Sequence, residues 1–208
     1  LIMTNCTRQS YSDLIEAVKK NSYKSIGNLL KNGANVNSQD NEGNTPLILA
    51  TGLGHKRIVK LLLKNHADVN LKNIYGETAL SVVSFKGYTN IARILIENHS
   101  DINNFNKDSV SPLMYSASHG FLKITQLLVK NKAEINAISK EGLVPLIYAS
   151  LNDHFKIARL LIKNGADVNF KIQDDDTILM TLAIRGTVKI AWLLIENGAD
   201  VNAINKYS

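Results

Sequence analysis

Apolar residues in this chain fall in pairs of short bursts at helical spacing, separated by polar stretches that carry glycine. In the stretch Thr45–Lys64, Leu47 and Ala50 share one face of a short first helix, and Ile58, Val59, Leu62 and Leu63 share one face of a second. Thr45 is placed to cap the first helix, and Pro46 follows where a missing N–H is harmless. Gly54 permits a tight turn between the two. The polar run "NVNSQDNEG" before them predicts an extended, turn-bearing connection.

The pair of bursts recurs with a period of 33 residues. Thr45-Pro46-Leu47 is followed at that interval by Thr78-Ala79-Leu80, Ser111-Pro112-Leu113, Val144-Pro145-Leu146 and Thr177-Ile178-Leu179. The end of each unit also keeps register, from "KNGANVN" at 31–37 to "ENGADVN" at 196–202, with no insertion or deletion. Gly52-Leu53-Gly54, with Thr51 and His55 close by, has the look of a phosphate loop. Gly54 nevertheless recurs as Gly87, Gly120, Asp153 and Gly186, so it belongs to the scaffold. Gly33, Gly165 and Gly198 fall where a helix ends in a left-handed residue; His66, His99 and Lys132 stand there in other units and predict mild strain. In the connections Gly43, Gly76 and Gly142 are available for positive φ, with Ser109 and Asp175 in their place elsewhere.

"GNTPLILA", "GHKRIVKLLLKNHADVN" and "ARLLIKNGADVN" together resemble the ankyrin-repeat family, whose pattern is a turn, T-P-L-H-x-A, two helices and a G-A-D-V-N ending. The resemblance covers nearly the whole chain. It implies an all-α fold, an ankyrin-repeat solenoid of stacked helix-turn-helix units with projecting β-turn or hairpin loops. One domain over 1–208 is expected, with repeats at about 7–39, 40–72, 73–105, 106–138, 139–171 and 172–204, and with 205–208 opening a further unit. The family's His is absent, replaced by Ile48, Ser81, Met114, Ile147 and Met180, which predicts the loss of a hydrogen bond around the cap. The resemblance also places Asn37, Asn70, Asn103, Asn136, Asn169 and Asn202 where hydroxylases modify some ankyrin proteins. Read from the residues, each Asn satisfies backbone groups of its turn.

Composition changes this picture little. The 208 residues are 45% hydrophobic and 20% charged, as in a globular chain, and no apolar run is long enough to span a membrane. The N-terminus lacks the basic start and apolar run of a secretory signal. A single cysteine, Cys6, excludes an internal disulfide and favours an intracellular setting.

Candidate chemistry is sparse. The five His residues fall in turns (His55, His154), at helix ends (His66, His99) or near the end of a first helix (His119), without companions at zinc-ligand spacing. Asp174-Asp175-Asp176 lacks the Gly and the later Glu of a calcium loop. No metal, no cofactor and no catalytic residue is expected.

The resemblance implies a non-catalytic module that binds a protein or peptide through the concave face and the turn tips. The tip columns read Glu42, Tyr75, Asp108, Glu141, Asp174 and Asn44, Glu77, Val110, Leu143, Asp176. The first-helix columns read Gly52, Phe85, Ser118, Leu151, Ile184 and Leu53, Lys86, His119, Asn152, Arg185. Candidate partner-binding residues are Glu42, Tyr75, Glu77, Phe85, Asp108, His119, Glu141, Leu143, Leu151, Asp174 and Asp176. Tyr75, Phe85, Leu143, Leu151 and Ile184 are expected to meet solvent. Acid gathers at the tips, which suits a basic partner carrying an apolar anchor.

Two alternatives stand beside this. The chain is a recognition part of a larger effector or enzyme, or it binds nucleic acid through a basic outer ridge. The ridge comprises Lys24, Arg57, Lys123, Lys156 and Lys189, with Lys31, Lys64, Lys130 and Lys163, and it underlies the formal charge of +6. It lacks interleaved aromatics, which disfavours nucleic acid. The last unit has the core columns of an interior one (Leu179, Leu182, Ala183, Leu194, Ile195), and Trp192 stands where other units carry Lys60, Arg93 and Arg159. Further repeats or a partner covering this end are expected.

Overall fold

The computed structural model describes residues 13–207. Cys6 and the opening of the first repeat lie outside the described residues. The chain forms two compact units that divide between Lys107 and Asp108. In the first, α1 covers 13–19, followed by α2 (Tyr23–Lys31), α3 (Pro46–Gly52), α4 (Lys56–Lys64), α5 (Ala79–Lys86) and α6 (Thr89–Glu97). In the second lie α7 (Pro112–Ser118), α8 (Leu122–Lys130), α9 (Pro145–Leu151), α10 (Phe155–Lys163), a 3-10 turn (Gln173–Asp175), α11 (Ile178–Arg185) and α12 (Val188–Glu196). The fold is all-α. Among the described residues the only β pairing outside a named strand is an isolated antiparallel bridge between Lys171 and Thr177.

Each first helix starts where the sequence places its cap. Thr45 Oγ1 accepts from Ile48 N at 3.2 Å, Thr78 Oγ1 from Ser81 N at 3.3 Å and Ser111 Oγ from Met114 N at 3.2 Å. The expected loss of a hydrogen bond at the cap holds only in part. Ser81 Oγ accepts from Thr78 N at 2.8 Å, and the sulfurs of Met114 and Met180 stand 3.4 and 3.5 Å from the cap N–H groups of Ser111 and Thr177. A hydroxyl, and more weakly a thioether, substitutes for an imidazole acceptor. At α9 the cap position is Val144, whose side chain has no oxygen to offer.

Packing follows the apolar faces. In the first unit α3 packs on α4 and α5, α5 on α6, and α4 on α2 and α6. In the second α9 packs on α7, α10 and α11, α8 on α7 and α10, and α12 on α10 and α11. Leu47, Ile58, Leu62, Leu80 and Leu95 are fully buried in the first unit, as are Leu113, Ile124, Leu128, Leu146 and Leu161 in the second. Burial of each such side chain contributes roughly 1.5–3 kcal/mol.

The last pair departs from this pattern. Leu182 and Leu194 are buried, Leu179 is half-buried, and Ala183 and Ile195 are exposed. Val201 is 61% exposed, whereas the residues one and four periods upstream, Val168 and Val69, are buried. This face has the composition of a packing surface, and Ala183, Ile195 and Val201 on it are exposed.

Candidate interaction surface

The turn tips owe their shape to one polar side chain apiece. Asp40 Oδ1 accepts from Glu42 N at 3.0 Å and Asn44 N at 2.8 Å. Asn73 Oδ1 does the same for Tyr75 N and Glu77 N, both at 3.0 Å. Such Asx turns fix the chain without help from strand pairing. Consecutive tips are then joined by backbone bonds: Ile74 N donates to Glu42 O (2.9 Å) and Lys107 N to Tyr75 O (3.0 Å) in the first unit. In the second, Lys140 N donates to Asp108 O and Lys206 N to Asp174 O, both at 3.0 Å. Glycine is required where the next tip comes this close, since a Cβ on Gly43 would stand 3.0 Å from Ile74 N.

The second tip column proves to be partly structural, which the sequence reading missed. Asn73 Nδ2 donates to Asn44 Oδ1 at 2.9 Å, Asn106 Nδ2 to Glu77 Oε1 at 2.7 Å, and Asn205 Nδ2 to Asp176 Oδ1 at 2.7 Å. Glu77 and Asp176 therefore each hold the following turn with a carboxylate oxygen. The Asn residues at the ends of the repeats act similarly. Asn70, Asn136 and Asn169 each accept through Oδ1 from a backbone N–H in the next repeat (Asp101, Asp167, Asp200) and donate through Nδ2 to a backbone carbonyl there (His99, Gly165, Gly198).

Of the candidate partner-binding residues, Glu42, Tyr75, Asp108 and Glu141 are exposed at the tips. Phe85 is exposed at the end of α5 with Lys86 Nζ 5.3 Å from its ring centroid. His119 caps the C-terminus of α7, is exposed, and stacks on Phe121 at 5.9 Å. Glu77, Asp174 and Asp176 are half-buried. Leu143 and Leu151, expected to meet solvent, are half-buried as well, and the carbonyl of Leu151 accepts from Arg185 Nη1 at 3.2 Å. Ile184 is exposed, as expected.

The tips are also less acidic than their first columns suggest. Lys72, Lys107, Lys140, Lys171 and Lys206 stand exposed beside the acids, and Lys206 Nζ lies 3.6 Å from Asp174 Oδ1. The outer columns Lys24, Arg57, Lys123, Lys156 and Lys189 are exposed throughout.

Among the described residues no three His, Cys, Asp or Glu side chains converge as a metal ion would need, and no helix is long and apolar enough to cross a membrane. Burial raises the Tyr148 phenol above its ordinary pKa, and its hydroxyl donates to Ser139 Oγ at 3.3 Å, which anchors a turn.

Helix pairs on a fixed period, joined by bonded turns, define a repeat protein built from helix-turn-helix units. The family description for three copies of the ankyrin repeat matches residues 14–106 and 100–172, and that for a single ankyrin repeat matches 174–206. The chain belongs to the ankyrin-repeat family. Ankyrin repeats generally mediate protein–protein interaction, and proteins built from them are typically non-catalytic scaffolds. No curated protein matches the chain as a relative.

Proposed function

We propose that the chain binds a protein or peptide partner through its turn tips and the exposed side of its first helices, without catalysing a reaction. In the first unit Tyr75 and Phe85 are the anchors, with Glu42 and Glu77 beside them. In the second unit Asp108, Glu141 and Asp174 form a polar rim, and His119, Leu143, Leu151 and Asp176 contribute the partly covered surface behind it.

The observation that carries this is the state of Tyr75. Its side chain is 54% exposed, while its backbone is fixed by Asn73 and by the bond from Lys107 N. A large aromatic held rigidly in solvent loses little backbone freedom on binding, which favours affinity. Charge at the tips is mixed, so it steers a partner locally. A basic segment is favoured beside Glu42 and Glu77 and less so beside Lys72 and Lys107.

The test begins with affinity capture of bound proteins from lysate of the native setting, followed by calorimetry with the partner identified. Tyr75→Ala and Phe85→Ala should each weaken binding by about 2 kcal/mol if they are hot spots. Lys123→Ala and Lys156→Ala should change it by about 1 kcal/mol or less. The opposite ranking would move the site to the outer helices and sink the proposal.

A further inference from the structure

Leu122 and Phe155 open α8 and α10 at the position where α4 carries Lys56 and α6 carries Thr89. Both helices are followed by a further helix pair, and Leu122 and Phe155 nevertheless stay half-exposed. Their exposure is a property of inner repeats. The two side chains line a groove of about 580 Å3 among the starts of α8, α10 and α12. Phe155 also borders a second groove, of about 440 Å3, which Ile162 and Leu193 line between α10 and α12. One extended segment can therefore pass from the first groove to the second across the Phe155 ring.

One wall of the first groove is fixed. His154 Nε2 donates to Ser118 O at 2.9 Å, and its ring lies so close over Gly120 that a Cβ there would stand 2.7 Å from Cε1. A wall already in place lowers the ordering cost of binding. The charge on the grooves is mainly positive. Lys156 and Lys189 line the first together with Asp153, and Arg159 and Lys163 line the second together with Glu196. Lys123 follows Leu122 on α8. All five cations are exposed, and none is ion-paired among the described residues. No acid stands in the first turn of α8, α10 or α12, so the positive ends of the helix dipoles add to the same sign.

We infer that these joined grooves are a second docking site, separate from the tips, for an acidic protein segment. It lays an apolar side chain against Phe155 and sets carboxylates against Lys156, Lys189, Arg159 and Lys163. Its charge preference is opposite to that at Glu42 and Glu77. A nucleic-acid strand fits less well. It carries a charge on every nucleotide and must meet Asp153 and Glu196 as well as the cations, whereas a peptide places its carboxylates only opposite the cations. A bilayer fits less well too, because Phe155 lies half covered within a groove and does not protrude.

The probe is a short dye-labelled, amidated peptide of alternating Glu-Glu and Leu-Leu pairs, and its fluorescence anisotropy is read against protein concentration. Binding should saturate, and its affinity should fall several-fold between low and physiological salt. Phe155→Thr installs the residue that α6 carries at this position, so the fold should survive, as a thermal melt will check. It should weaken binding by about tenfold or more. Lys156→Glu and Lys189→Glu, both at exposed positions, should each weaken it several-fold and keep the test open if Phe155→Thr unfolds. Trp192→Gln places the α8 residue of that column on the end face and should leave binding unchanged.

Four results overturn the inference. The acidic peptide fails to saturate, or a Lys-Lys/Leu-Leu peptide binds equally well. Oligothymidine or vesicles of phosphatidylserine bind where the peptide does not. Or Trp192→Gln abolishes binding while the two Lys→Glu variants leave it intact, which would place the peptide on the end face.

Discussion

Each second helix ends in a residue forced into the left-handed conformation, and the side chain there decides the strain. Gly165 and Gly198 adopt φ 91° and 90° freely, whereas His66 and His99 hold φ 63° and 64° with a Cβ in the way. The conformation costs an L-residue roughly 1 kcal/mol or somewhat more. His66→Gly should therefore raise the unfolding free energy by about 0.5–1 kcal/mol after glycine's own entropy is set against it. Urea denaturation reads the change, and a loss of stability would mean that the imidazole makes a contact worth more than the strain. This site was legible in advance because the 33-residue period puts His66 in the same column as Gly165. The Asn73–Asn44 and Asn106–Glu77 bonds were not legible. They join the start of one turn to the end of the preceding one, a separation of 29 residues that matches no column.

Among the first helices α3, α5, α7, α9 and α11, α9 is the one without a side-chain cap. In α3 the Ile48 N–H is taken by the Thr45 hydroxyl, while in α9 the Ile147 N–H turns to the Val144 carbonyl at 2.9 Å. Val144→Thr should supply the missing cap and stabilise the protein by about 0.5–1 kcal/mol, seen as a higher melting temperature. Val144 is buried, so a hydroxyl that failed to reach Ile147 N would destabilise by roughly 1–3 kcal/mol instead. The sequence placed all of these helix starts correctly through the Thr, Ser and Pro columns. It did not reveal that Ser81, Met114 and Met180 would take over the acceptor role of the missing imidazole. That depends on which rotamer turns back toward the cap, and side-chain identity alone does not say.

For the molecule as a whole, stability is a matter of neighbours. A repeat array is close to one-dimensional, so each helix pair leans on the pairs at its two sides. Among the described residues the pair α11–α12 packs on α9 and α10, and Ala183, Ile195 and Val201 are exposed. Under native conditions its amides should exchange roughly tenfold or more faster than those of α10. Equal protection in dilute monomer would show that the last pair does not depend on a neighbour. The periodicity predicted core columns of an interior type in this pair, but not that Leu143 and Leu151 would be half covered or that lysines would share the tips.

The bonds between turns carry a further consequence, for how such a chain can grow. Three repeats are matched to their successors: Asn44 meets Asn73, Glu77 meets Asn106, and Asp176 meets Asn205. Where Leu143 stands, the successor's residue is Ile172, and neither side chain has a polar group to pair. Gene duplication of residues 40–72 would set Asn44 against a second Asp40, and duplication of 73–105 would set Glu77 against a second Asn73. Both junctions keep a donor and an acceptor. Duplication of 172–204 would set the Asp176 carboxylate against a second Ile172 and strand it. Lengthening by copying is thus compatible with the turns of 40–72 and 73–105 and penalised at the turn of 172–204.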